Sequence, residues 1–236
     1  MKTVPFIVNF CYIFLLFTMA IALVLVFRKT IIASSAKRKY APIIGLLVLW
    51  VVLTFLAVNG VFIDTIKNTP PAFMPAVLAA NLFAVYFALF YKPLKELKPQ
   101  QMKYVIGLQT FRLPLELIFV WLLALNLLPI QMTFEGSNFD VLVGVTAPII
   151  AYFGYHKRAL PNWMLIVWNF VGLSLLANIV VIAILSAPTS FQVYTNLPHN
   201  TIVLQAPYHF IPFFLVPLAL FGHLYALSRL LGKRAA

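Results

Sequence analysis

The chain has 236 residues, 63% hydrophobic and 9% charged, with 17 Lys and Arg against 5 Asp and Glu and a formal net charge of +12. Soluble domains carry about 25% charged residues, so an ordinary water-soluble globule is excluded, as are disorder, collagen, coiled coil and a disulfide-stapled module. Taken as a total, +12 suits nucleic-acid binding, and only the positions of the charges can decide that point.

A helix crossing a hydrocarbon core of about 30 Å needs about 20 apolar residues. Seven runs meet that need, over 4–27, 43–63, 72–91, 104–128, 139–155, 163–185 and 208–230. The first ends in Arg28-Lys29. A cleaved signal peptide is the alternative here, but the run is too long and carries its positive charge at the wrong end, so a retained helix is expected. Cys11, the single cysteine, allows no internal disulfide and reads as a small packing residue. The second run, like the first and sixth, holds no charged side chain. The third carries Ala72, Ala76, Ala80, Ala84 and Ala88, a four-residue ladder of small side chains that lets another helix come close. Packing inside the bundle and a homodimer seam are both open readings of it.

The fourth run holds Gln109, Arg112 and Glu116 on one stripe, with Pro114 among them. Arg112 lies about 12 Å along the run at 1.5 Å per residue, and residues four apart share a helix face, so an Arg112–Glu116 pair is expected. Pro114 cannot donate to the carbonyl of Thr110, which predicts a kink there. The fifth run is the shortest and contains Pro148. The sixth brings Asn169 to the level of the Arg112 stripe and places Asn178 further outward, as Asn126 is on the fourth. A long loop, Ser186–Pro207, precedes the seventh run, in which His223 reaches the same level as Arg112. The expected fold is therefore all-α, one polytopic domain of seven transmembrane helices over 1–236, with no internal sequence repeat.

Fourteen of the 17 basic residues fall at one side of this arrangement: Arg28, Lys29, Lys37, Arg38 and Lys39; Lys92, Lys95, Lys98 and Lys103; Lys157 and Arg158; Arg229, Lys233 and Arg234. Only Lys2 and Lys67 fall on the other, and Arg112 lies within a run. Cytoplasmic loops retain Lys and Arg, so the N-terminus is expected outside and the C-terminus inside. The charge is then a topology signal that offers contact with anionic lipid headgroups, and nucleic-acid binding falls away.

Charged and polar side chains inside a membrane are costly and point to function. Gln109, Arg112, Glu116, Asn169 and His223 form the candidate ligand-binding cluster, facing the cytoplasmic side. Arg112 presents a fork of donors suited to an anionic group. A purely structural role for the same residues, and proton or ion handling, are the competing readings. Outward, Thr133, Glu135, Asn138, Asp140, His199, Tyr208 and His209 gather on one side of the chain. Glu135, Asp140, His199 and His209 are a weak candidate for a divalent metal, since no zinc signature is present and an ordered outer cap explains them as well. No cofactor is expected. His209 and His223 have the spacing of paired haem ligands, but His156 and His199 lie in loops and a second pair is lacking. The last run has no Schiff-base lysine for retinal, Leu227 stands where a second histidine of an H-x-x-x-H hydrolase would be, and no G-x-S-x-G, P-loop or G-x-G-x-x-G occurs.

The strings QTFRLPLEL, MTFEGSNFDVLVGVTAP, Trp168-Asn169, Ile184–Pro188 and Val216–Leu224 resemble an uncharacterised bacterial family of small multi-pass inner-membrane proteins. The resemblance covers roughly Gln109–Leu231, implies the bacterial cytoplasmic membrane, and transfers no functional residue. The leading functional expectation is binding or translocation of a small solute or lipid at the Arg112, Glu116 and His223 cluster. The alternatives are a membrane-embedded enzyme using Glu116 or His223 as general acid or base, and a sensor or accessory subunit without chemistry.

Overall fold

The computed structural model describes residues 3–33, 36–68, 71–91 and 101–232, without the side chains of 28–44, 46 and 47. Among the expected inner-face cations, Lys92, Lys95, Lys98, Lys233, Arg234 and the side chains of Arg28, Lys29, Lys37, Arg38 and Lys39 lie outside the described residues, as does Lys2. The described residues contain helices and connections and no strand. In chain order the helices are α1 (Phe6–Ala33), α2 (Ala36–Val58), α3 (Phe73–Leu89), α4 (Met102–Ala124), α5 (Val141–His156), α6 (Asn162–Leu185) and α7 (Ile211–Gly232). Four segments are long and apolar enough to cross a membrane: Phe6–Phe27 of α1, and α4, α6 and α7. The apolar part of α2, and α3 and α5, are shorter.

The ends of these helices have local causes. The second run was expected to reach residue 63, but α2 stops at Val58 because Gly60 takes φ 73°, a left-handed conformation that glycine adopts without strain. One helical turn, Val61–Asp64, follows. The fourth run was expected to continue to Leu128, but α4 stops at Ala124. Asn126 takes φ 55°, the Asn126 amide donates to the Leu123 carbonyl and the Leu127 amide to the Leu122 carbonyl. Those two bonds close a Schellman motif, and Asn tolerates its left-handed position better than most residues.

The prolines act where the backbone must change pitch. The turn Gln109–Phe111 just before Pro114 tightens to a 3-10 helix, which is how α4 accommodates the missing donor. Pro148 lies inside the α-helical part of α5, which continues as a π-helix over Ile150–His156. Pro212 lies in the π-helical start of α7, Ile211–Leu215.

α7 and α4 are the most enclosed of the four long helices, whereas α1 and α6 lie mostly at the periphery. α7 packs against α3 and α6 along much of its length and also meets the first half of α4. The largest apolar cluster joins Val8, Tyr12 and Leu15 of α1 to Leu115, Ile118 and Leu122 of α4 and to Leu215 and Leu218 of α7. The outward faces are apolar too: Phe6 is 82% exposed, and Phe10, Phe14 and Phe17 follow it along α1. Such a surface would drive association in water and suits hydrocarbon. With hydrocarbon outside, close packing and interhelical hydrogen bonds hold the helices together more than water exclusion does.

The alanine ladder of α3 illustrates that packing. Ala84 and Ala88 are buried in a cluster with Phe221, Tyr225 and Ala226 of α7. Ala76 and Ala80 pack on a second cluster that contains Phe213, while Ala72 is exposed at the head of the helix. Ala84 and Ala88 thus face this chain's own α7, and Ala76 and Ala80 face a cluster that joins Phe213 to Leu53 and Ala57 of α2.

Candidate functional site

The connection between α4 and α5, residues 125–140, does not cap the outer end of the bundle as its polarity suggested. It folds back along α4. The backbone N–H of Phe134 donates to Glu116 Oε1 at 2.7 Å, and Asn138 Nδ2 donates to Glu116 Oε2 at 2.7 Å and to the Met132 carbonyl at 3.0 Å. Arg112 Nη1 donates to Asp140 Oδ1 at 2.7 Å. Arg112 precedes the end of α4 by twelve residues, or about 18 Å at 1.5 Å per residue. The connection therefore returns by that distance before α5 begins. This is why the fifth run is short: α5 starts beside Arg112 and runs down to His156, whose Nδ1 is 3.3 Å from Lys103 Nζ.

The expected Arg112–Glu116 pair is therefore not formed. Asp140 takes the guanidinium, and Glu116 is held by two N–H donors instead. Two features make this arrangement possible. Gly144 lets α5 lie against α4 at this level: a Cβ there would stand 2.5 Å from the Leu113 nitrogen and 3.2 Å from Arg112 Cβ. Asn138 ties the turn together, its Oδ1 accepting from the Asp140 amide at 3.0 Å while its Nδ2 serves Glu116. The connection is also fixed from outside. Gln131 donates to Ser186 Oγ and accepts from Asn196 Nδ2, each at 2.9 Å, and Asn178 donates to the Ser137 carbonyl. Irregular backbone of this kind is tolerated at membrane depth where protein surrounds it.

Arg112, Glu116, Asn138 and Asp140 line one cavity of about 320 Å³, near the lower end of the range of small-molecule sites. The rest of its wall is mostly aliphatic or aromatic, from Phe73 and Val77 on α3 through Leu115 and Phe119 on α4 and Leu176 and Val180 on α6 to Leu215 and Ala219 on α7. Asn81 and Asn200 add polar groups elsewhere on the wall. α3 and α6 both pack on α7 but scarcely on each other, and the lining residues Ala177 and Ile184 of α6 are exposed. The cavity therefore opens sideways between α3 and α6, through an apolar face. Arg112 is 2% exposed, and its Nε and Nη2 have no hydrogen-bond partner.

The other members of the expected cluster lie apart from this cavity wall. His223 Nδ1 is 2.9 Å from Asn169 Oδ1, and Asn169 Nδ2 donates to the Leu165 carbonyl. With its amide so oriented, Asn169 accepts from the imidazole, which makes Nδ1 the protonated nitrogen and leaves Nε2 a buried acceptor without a partner. The ring packs on Gly172 and beside Trp168, whose Nε1 donates to Thr146 at 2.9 Å. Gln109 is buried against Gly222 and donates to the Ala219 carbonyl at 3.3 Å. These groups join α4, α5, α6 and α7 below the cavity.

The outer candidates are dispersed. Asp140 belongs to Arg112, Glu135 is exposed, His199 Nδ1 is 2.9 Å from Gln192 Nε2, and His209 Nε2 is 3.2 Å from Thr54 Oγ1. Among the described residues, no three His, Cys, Asp or Glu side chains gather as a metal site would require. The residue that sequence reasoning misplaced is Asp140, together with its companion Asn138. The available signal was that a buried guanidinium requires a hydrogen-bonded counter-charge, and MTFEGSNFD is the nearest polar stretch able to supply one.

Residues 70–231 match the model of a family described as a domain of unknown function (DUF8737), and the chain belongs to that family. The match contains α3 to α7, and with them every residue that lines the cavity. No curated protein and no solved structure is significantly similar to the chain.

Proposed function

We propose that the protein is a seven-helix integral membrane protein of the bacterial cytoplasmic membrane, N-terminus outside and C-terminus inside. It binds a small, largely apolar molecule in the cavity beside Arg112, Glu116 and Asp140. The orientation rests on the distribution of Lys and Arg, which favours the cytoplasmic side for every odd-numbered connection. The bacterial membrane rests on the resemblance of the motif strings. α2, α3 and α5 complete the span count as shorter segments, α5 together with the folded-back connection.

The observation that carries the binding reading is an apolar cavity with Arg112, Glu116 and Asp140 among its lining residues and a lateral opening through an apolar face. A molecule dissolved in the bilayer reaches such a site without crossing water. Apolar walls supply contact area, and a few polar groups orient the guest. His223, Gln109 and Asn169 hold the helices that form the floor. Translocation would require a second opening to the inner side, and enzyme action would require a free general base on the cavity wall; Glu116 has both oxygens occupied by N–H donors and His223 is not among the lining residues, so binding is the reading favoured over both.

The test is photolabelling of the full chain in nanodiscs with a dodecyl diazirine, followed by peptide mapping. Labels are expected on Leu176, Val180 and Leu215, and Ala183→Phe, which fills the cavity, should remove them. Labelling confined to the outer face of α1 at Phe6, Phe10 and Phe14, unchanged by Ala183→Phe, would refute the proposal.

A further inference from the structure

The cavity occupies one half of the bundle's depth. It is lined by 73–81 on α3, 173–184 on α6 and 211–220 on α7, the halves of those helices next to the 186–207 connection, and by 111–119 in the middle of α4. The other halves are closed. Gly172 lies against the His223 ring and Gly222 against the Gln109 amide, and a Cβ at Gly154 would stand 2.6 Å from Leu165 Cδ2. Gln109, Asn169 and His223 are buried, and Ala84 and Ala88 pack with Phe221, Tyr225 and Ala226. The asymmetry has a cause in the chain path. α5 begins beside Arg112 and runs away from the cavity, so in the cavity's half its place is taken by the irregular connection, whose Met132, Asn138 and Asp140 line the wall.

The depth of the cavity matches one kind of guest. From 173 to 184 the lined part of α6 rises about 17 Å at 1.5 Å per residue, close to half of a hydrocarbon core of about 30 Å. That is the range a lipid tail covers between the membrane surface and the midplane. The polar groups on the wall are largely engaged within the protein. Arg112, Glu116, Asn138 and Asp140 bond to one another or to the folded-back connection. Asn81 and Asn200 donate to the Val77 and Ala183 carbonyls, and Thr189 accepts from the Phe191 amide. Arg112 Nε and Nη2 and Asn200 Oδ1 have no partner, but these atoms are themselves buried in the packing. A guest therefore meets mainly the aliphatic and aromatic wall, and it meets it through the side opening between α3 and α6.

Resting on the proposal that this cavity is a binding site, we infer that its guest is the hydrocarbon tail of an amphiphile in the leaflet next to the 186–207 connection. With the N-terminus outside, this is the outer leaflet. The tail enters sideways and ends at the layer of Gln109, Asn169 and His223, while the head stays at the membrane surface, where its polar groups keep their hydration. An amphiphile in the opposite leaflet meets only the closed halves of the same helices.

The experiment uses the full chain in right-side-out and in inverted membrane vesicles. A lysophosphatidylcholine with a diazirine in its acyl chain is added to the exposed side of each and photolysed before it can change leaflet. Maleimide reaction of Thr195→Cys in the Cys11→Ala background identifies the preparation that exposes the 186–207 connection. From that side, labelling of Leu176, Val180 and Leu215 is expected to be roughly tenfold or more above labelling from the other, because the zwitterionic head does not cross the hydrocarbon. Equal labelling from both sides, or stronger labelling from the other side, overturns the leaflet assignment. Lysolipid labels absent from the cavity residues, where dodecyl diazirine still labels them, overturn the tail assignment while leaving the cavity a binding site. Absence of dodecyl diazirine labels as well removes the site itself and the inference with it.

Discussion

Removing Asp140 tests the geometry at the centre of the site. Its carboxylate meets Arg112 at 2.7 Å, with side-chain exposures of 1% for Arg112 and 13% for Asp140. Deleting one partner of a buried pair costs about 3–5 kcal/mol, because the other charge is left without compensation. A domain of this size loses roughly 2–4 °C in Tm per kcal/mol, so Asp140→Ala should lower Tm by roughly 6–20 °C. The lower end applies if Arg112 swings to Glu116, four residues on, which would first have to release Phe134 and Asn138. Arg112→Met should lower stability similarly by isolating Asp140. Replacing both partners removes the desolvation penalty along with the attraction, so Arg112→Met/Asp140→Leu should return to within about 1 kcal/mol of the parent. The assay is thermal unfolding of the detergent-solubilised chain, read by tryptophan fluorescence, with the four proteins forming a double-mutant cycle. A double variant as unstable as the sum of the singles, or an Asp140→Ala protein that melts with the parent, would refute the pairing. A second cycle with Glu116→Gln would then show whether the sequence-based Arg112–Glu116 pair forms after all.

Other predictions concern the packing that supports the site. Gly144→Ala places a Cβ 2.5 Å from the Leu113 nitrogen, so it should cost about 1–3 kcal/mol by forcing α5 from α4; unchanged thermal stability would contradict that close approach. Gly172→Ala drives a Cβ into the His223 ring, and its destabilisation should be less than additive with that of His223→Ala. Strict additivity in the melting series would mean that the two residues do not touch. At the left-handed Asn126, Asn126→Val should cost about 1–2 kcal/mol and Asn126→Gly should be close to neutral, with equal costs counting against the Schellman ending of α4. Topology is open to maleimide labelling in a Cys11→Ala background. Thr195→Cys should react in intact cells and Lys157→Cys only after permeabilisation, and the reverse pattern would invert the orientation.

The helical class, the four long helices and their places in the chain are legible in the sequence, because each depends on interactions within one segment. A helix satisfies its own backbone four residues away, and hydropathy over its length decides whether it suits hydrocarbon. The ends were less legible, since Val58 and Ala124 stop their helices through backbone conformations at Gly60 and Asn126 that hydropathy does not register. Arg112 and Glu116 were recognisable as the costly residues of α4, because a buried charge stands out against apolar neighbours. Their partners were not. Helical periodicity brings Glu116 within reach of Arg112, and nothing within the segment favours Asp140, which is 28 residues away. That choice was made by tertiary structure. The Schellman turn reverses the chain, Gly144 admits α5 against α4, and Asn138 bridges Glu116 to the Asp140 amide. His223 and Asn169, expected at the same level, do not line the cavity that Arg112 and Glu116 line, because residues at one depth still face different sides of their helices. The sequence by itself determined which residues are expensive to bury; only the packed chain decided which of them meet, since a hydrogen bond is specified by direction and distance in space and not by position along a helix.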